Sequence, residues 1–296
     1  MPTYDTPQPI TAVIDVEAGT VRISAGKRTD TVVEVLPRDG ASDNDVRSAR
    51  QTQVSCADGT LRVKGPRTRS PFNKGGLIEV SVELPAGSEV RAATGLGNVL
   101  CEGPLGACTL KTGLGDIQLG EATTVDLKTS TGEIRLAHAT GDAEIGGMGL
   151  VEIDTVDGSA TVKNGNGETR IGAVGGALEL KSSNGAASVG SVHGEVRAKS
   201  ANGPIEIGVA QAGVEASSAM GGIKVGEVAR GKVTLRTSIG NVEVGIREGT
   251  AAWLDVHTKF GSVRNTLGGA DGPGGATDTV EVRANTSGGD IVIHRA

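Results

Sequence analysis

The sequence predicts an all-β fold: a single-stranded, right-handed parallel β-solenoid of two-strand coils, about 18 residues each, with an irregular N-terminal capping region. Three observations lead there. Val162-Lys163-Asn164-Gly165-Asn166-Gly167 recurs in related form as Leu180-Lys181-Ser182-Ser183-Asn184-Gly185 and Ala198-Lys199-Ser200-Ala201-Asn202-Gly203, so that Lys163, Lys181 and Lys199 lie 18 residues apart. A fixed period of this length marks a stacked repeat. Between the turns, short segments alternate apolar and polar residues, as in Leu178-Glu179-Leu180 and Ile205-Glu206-Ile207, which is the period of a strand with one buried face. Finally, the chain of 296 residues holds 47 glycines and only 1% aromatics. Its interior must then be filled by Val, Ile, Leu and Ala, which suits a narrow core.

In chain order, residues 1–9 carry three of the ten prolines and no periodicity, and read as a loose, flexible tail. Residues 10–90 read as irregular N-terminal β coils that cap the open end of the stack. Strands are expected at Val13–Val16, Gly19–Ile23 and Thr31–Leu36, the last stopped by Pro37. Asp39–Asp45 is turn-rich, a short helix fits Asp45–Val54, and strands resume at Thr60–Val63 and Leu77–Leu84. Residues 65–76 read as an exposed loop rich in Pro, Arg and Lys.

Residues 91–296 carry the regular repeat. A polar turn, a glycine and a short strand appear at Thr94-Gly95-Leu96-Gly97-Asn98-Val99, at Thr112-Gly113-Leu114-Gly115-Asp116-Ile117 and at Ser130-Thr131-Gly132-Glu133-Ile134. The motif continues to Gly289-Asp290-Ile291, with a loop insertion at 268–279. A second glycine 9 or 10 residues after the first makes each coil two strands and two turns, and residues 10–296 are expected to form one continuous structural domain. Antiparallel hairpins closed by Asn164-Gly165, Asn184-Gly185 and Asn202-Gly203 are the competing arrangement. Register favours the solenoid. A parallel ladder rewards identical residues at equivalent positions, which Asn166, Asn184 and Asn202 supply, as do Thr94, Thr112, Ser182 and Ser200.

Composition excludes several function classes. The formal charge of −6 is spread among interleaved acids and bases, so no basic stripe or aromatic platform points to nucleic acid. No apolar run reaches the roughly 20 residues of a membrane span, so direct membrane insertion is not expected. MPTYDTPQPI lacks the pattern of a signal peptide. A cytoplasmic location is expected, with surface association only if a leader has been removed. Cys56, Cys101 and Cys108 are an odd set that reads as reduced, buried thiols.

No catalytic, cofactor-binding or metal-ligating residues are assigned. Asp116 and Asp290 occupy a position that calcium-binding repeats use, but Asn98, Glu133, Glu168 and Ala186 interrupt the row. Glu152 with Asp154, or Glu168 with Arg170, share a strand face without a matching cluster in neighbouring coils. His138, His193, His257 and His294 are scattered. The remaining surface feature is the lysine row. Lys163, Lys181 and Lys199 would stack about 4.8 Å apart, with Lys111 and Lys128 extending the row, as an interaction stripe for an acidic partner.

The repeated Ser/Thr-x-x-Gly-x-Ile/Val turns, after the segment Val13–Ile23, resemble a bacterial β-strand-repeat family of unknown function whose members are labelled candidate adhesins, also called Toastrack-like. The resemblance covers roughly residues 10–296. It implies a β-solenoid without known catalytic residues, tied to envelope-stress or surface systems. The function expected is therefore a non-enzymatic scaffold or protein-interaction module, adhesin-like, with an unknown protein partner and self-association through the solenoid ends. The alternative is a β-helical carbohydrate-binding or polysaccharide-degrading protein.

Overall fold

A computed structural model describes residues 2–67, 75–268 and 278–296. The chain is nearly all β, with 68% strand and 3% helix, and its strands are predominantly parallel, as the repeat requires. It divides into two compact units, Met1–Met148 and Gly149–Ala296. In both units a coil contributes one strand to each of two parallel sheets, here called sheet I and sheet II.

The coil in the middle of the second unit shows why these residues form these elements. Leu178–Asn184 lies in sheet II and Ala187–Val192 in sheet I. Alternation turns Leu178, Leu180, Ala187, Val189 and Val192 inward, all buried. The following coil stacks in register on it, with Leu180 opposite Ala198 and Val189 opposite Ile207. Large residues meet small ones along the row Val162, Leu180, Ala198, Ala216, Leu235, which fills a narrow interior without aromatics.

The corner between the sheets is set by glycine. Gly203 has φ +144, and a Cβ there would run into the carbonyl oxygen of Gly185 in the coil before it. Only glycine allows both the backbone shape and the close stacking. Beside this corner an inward row of hydroxyls ties one coil to the next. Thr112 Oγ1 donates to the Gly97 carbonyl at 2.9 Å, and Thr237 Oγ1 to that of Gly221 at 2.9 Å. Outside the corner, the side chain after the glycine accepts from the next coil: Asp116 N–H donates to Asn98 Oδ1 at 2.9 Å, and Ser262 N–H to Asp290 Oδ1 at 2.8 Å.

The stack does not follow chain order at its ends. In the first unit the strand Thr11–Gly26 runs through both sheets. It lies between Thr60–Lys64 and Glu89–Leu96 in sheet II, and between Ile78–Pro85 and Val99–Leu105 in sheet I. In the second unit, Asp278–Gly288 lies between Gly231–Ile239 and Thr250–Phe260. Likewise Ile291–Arg295 lies between Val242–Ile246 and Val263–Asn265. The coil at 250–265 is thus outermost, and the last residues of the chain are inserted inside it. Strict sequential stacking, the expectation for residues 91–296, fails here because parallel pairing rewards any neighbour with the same inward pattern, and the two coils share it.

The N-terminal region also departs from expectation. In place of a loose tail over 1–9, Thr3–Asp5 pairs antiparallel with Asp30–Pro37, and Thr6 Oγ1 meets Thr31 Oγ1 at 2.8 Å in a buried contact. Asp30–Pro37 pairs antiparallel with Ile78–Pro85. The helix spans Asp43–Gln51, with Ser42 as its N-cap accepting from Asp45 N–H. Gln53–Ala57 forms a hairpin with Thr60–Lys64 around Asp58 and Gly59, at φ +49 and +68. Those angles belong to a tight hairpin turn that Asp-Gly favours. Of the loop expected at 65–76, residues 68–74 lie outside the described residues, as do 269–277 of the insertion at 268–279. Asp278 and Thr279 already belong to a strand. Among the described residues no helix is long and apolar enough to cross a membrane.

Candidate interaction surface

The outward face of sheet II in the second unit brings the predicted lysines together. Lys163 is the register partner of Lys181, and Lys181 of Lys199. All three side chains are exposed, because the residues flanking each in its strand (Val162 and Asn164, Leu180 and Ser182, Ala198 and Ser200) are buried and a strand alternates. Lys181 Nζ lies 2.6 Å from Glu179 Oε1 on its own strand. That bond holds the Glu179 carboxyl below the usual carboxylate range, with the Lys181 charge and then Lys163 and Arg197 adding to it. Lys163 and Lys199 have no ion pair of their own among the described residues. Beside the lysines runs the mixed row Thr161, Glu179, Arg197, Glu215. After Lys199 the row passes to Ser217 and then Arg236.

Lys111 and Lys128 are also register partners, in the first unit. Lys128 Nζ is already clamped, 3.0 Å from Asp126 Oδ1 and 3.1 Å from Glu144 Oε1. These bonds, to Asp126 first, raise its pKa.

Two of the acids singled out in the sequence serve the fold. Asp116 Oδ1 accepts from Glu133 N–H at 2.9 Å, and Asp290 Oδ1 from both N–H and Oγ of Ser262, at 2.8 and 3.0 Å. They hold corners, as Asn98 and Asn241 do. Glu168 forms a two-pronged pair with Arg170 at 2.8 and 2.7 Å. Among the described residues no group of three or more His, Cys, Asp or Glu is placed to hold a metal ion. Cys101 and Cys108 are buried and Cys56 half-buried. Burial pushes the Cys108 thiol up to about 12 and that of Cys101 well up.

A cavity of about 470 Å³ in the first unit lies between the helix, Glu17 and the segment at Gly65–Arg67. Its charged lining is Glu17, Arg47 and Arg67, the last bound to Asp15 at 2.6 Å. Two-carboxylate glycoside chemistry needs a pair of acids facing one another, and one acid lines this cavity among the described residues.

The outermost strand carries two exposed aromatics, Phe260 standing in the corner row of Met220 and Ile239. Trp253 and Phe260, in a chain with so few aromatics, are both exposed on the outermost strand Thr250–Phe260, at 56% and 79%. Trp253 carries the Arg283 guanidinium over its ring, 5.8 Å from the centroid.

None of the curated proteins compared with the chain matches it. Among solved structures it is similar to a candidate adhesin of Bacteroides fragilis, at 13% identity and TM-score 0.34 over 99% of this chain and 95% of that one. A candidate adhesin of Parabacteroides merdae is similar at 12% identity and TM-score 0.38, over 83% and 92%. A third, from Parabacteroides distasonis, gives 10% and 0.38 over 98% and 95%. Residues 11–294 match the family model described as Toastrack DUF4097, and with nearly its whole length covered, the chain belongs to that family.

Proposed function

We propose that the protein is a non-enzymatic interaction scaffold that binds an acidic protein along the outward face of sheet II, in the manner of an adhesin. The observation that carries this reading is the in-register row Lys163, Lys181, Lys199. Like charges one strand apart disfavour each other by a few tenths of a kcal/mol where exposed. Glu179 pairs directly with Lys181 and reaches Lys163 only through its charge, and an acidic ligand laid along the row would pair with all three. A rigid ladder also costs little ordering on binding, since the backbone that spaces the charges is already fixed. The partner we infer belongs to an envelope-stress or surface system, as the Toastrack-like resemblance implies; a cytoplasmic station is the companion reading. Binding to immobilised poly-L-glutamate tests the stripe. Lys181→Glu with Lys199→Glu should abolish retention that the native chain shows at low salt, and unchanged retention overturns the proposal.

A further inference from the structure

The strand Thr250–Phe260 is 11 residues long and pairs only with Asp278–Gly288, so among the described residues nothing occupies its outer edge. Exposed edges are usually blunted by short strands, prolines, inward charges or a covering helix. The outer edges of the first unit follow that rule, ending in the antiparallel strands Thr3–Asp5 and Gln53–Ala57, with a helix packed nearby. Among the described residues Thr250–Phe260 has no inward charge and no covering helix, its charges Asp255 and Lys259 being exposed on the outward face. It contains no proline, and its inward row is Thr250, Ala252, Leu254, Val256 and Thr258, the last four only half-buried. Trp253, Phe260 and Val263 of the same coil are exposed.

We propose that this edge pairs with the same strand of a second copy of the chain, antiparallel, about a two-fold axis at Val256. The strand's own order argues for that occupant. With Val256 opposite itself, Asp255 faces His257 of the second copy and Trp253 faces Lys259, each pair occurring twice. Leu254 then faces Thr258 on the inward side, and Ala252 faces Phe260. Opposite partners of this kind stabilise an antiparallel pair, and a cation beside an indole adds to it. Moving the axis by one residue spoils the match. An axis at Asp255 sets that carboxylate against itself, and an axis at His257 stacks the two imidazoles and shortens the overlap. Self-complementarity about one centre is what an isologous contact requires. The interface uses a strand edge distinct from the outward lysine face, so it stands independently of the stripe.

Sedimentation velocity on the full chain tests this, together with cysteine cross-linking in a Cys56→Ser background. The native chain should sediment at twice its 29.7 kDa mass. Val256→Lys, which places a charge inward on the edge, should sediment as a monomer with an unchanged circular dichroism spectrum. Val256→Cys should form a covalent dimer on mild oxidation, and Ala251→Cys should not, because only position 256 opposes itself. A native monomer up to high micromolar concentration overturns the proposal. So does a Val256→Lys dimer, or cross-linking of Ala251→Cys as readily as of Val256→Cys. Should Val256→Lys fail to fold, the cross-linking pair decides.

Discussion

Asn202 donates from Nδ2 to Oδ1 of Asn184 across 2.9 Å, one coil away on the exposed corner. Both are amides, so each can accept from one neighbour and donate to the other. That property makes asparagine repeat along a parallel stack. Where the row leaves asparagine it turns apolar, at Met220 and Ile239.

Replacing Asn184 by Leu should therefore cost little, about 0.5–1 kcal/mol for one exposed neutral hydrogen bond. Urea unfolding should show a shifted midpoint with an unchanged slope.

Gly203→Ala should be far more costly. Its φ of +144 is foreign to alanine, and the new methyl would strike the Gly185 carbonyl oxygen. A loss of about 2–3 kcal/mol is expected from strain and displaced packing together, read from the same urea transition.

Acid should weaken the second unit through one corner carboxylate and one on a strand face. The Ser262 N–H, with its hydroxyl, holds the Asp290 carboxyl below the ordinary carboxylate range. Glu243 is lowered first by its bond to Lys224, with a smaller contribution from His294. A depressed folded pKa gives stability that is present above the unfolded value, about 4, and is lost as pH falls through the folded one. The melting temperature should fall on acidification below about pH 4. Asp290→Asn, which keeps the acceptor and removes the titration, should flatten that slope. An equally steep fall in the variant would exclude Asp290 as the cause.

Thiol labelling at pH 8 should separate the cysteines. Burial raises all three, least severely at half-buried Cys56. A disulfide reagent should modify Cys56 in the native protein, and Cys101 and Cys108 only after denaturant is added.

The coil is legible in the sequence because a ladder repeats its residues in kind: even spacing alone places Lys163, Lys181 and Lys199 in one row. The Gln53–Ala57 hairpin has a fainter signal, Asp58-Gly59 between two alternating segments, Val54 with Cys56 and Leu61 with Val63. An ambiguous helical stretch just before it obscures that pattern. The strand at Thr3–Asp5 is hidden by the prolines around it. The exchange of the last two coils has no local signal. Val280, Val282 and Ala284 present the same inward pattern as Ala252, Leu254 and Val256, and pattern specifies a coil without specifying its neighbour. Trp253 and Phe260 become informative only because their strand is outermost.

The inserted terminal coil reverses the usual relation between synthesis and assembly. Residues 250–265 leave the ribosome before 278–295, their ladder partner among the described residues, so their native pairing waits for that segment to arrive. That segment then closes on two neighbours at once. Pulled from its C-terminus, this unit would have to shear ladders on both sides together instead of peeling strand by strand. The outermost coil depends on residues made after it, and those residues are held by a ladder on either side.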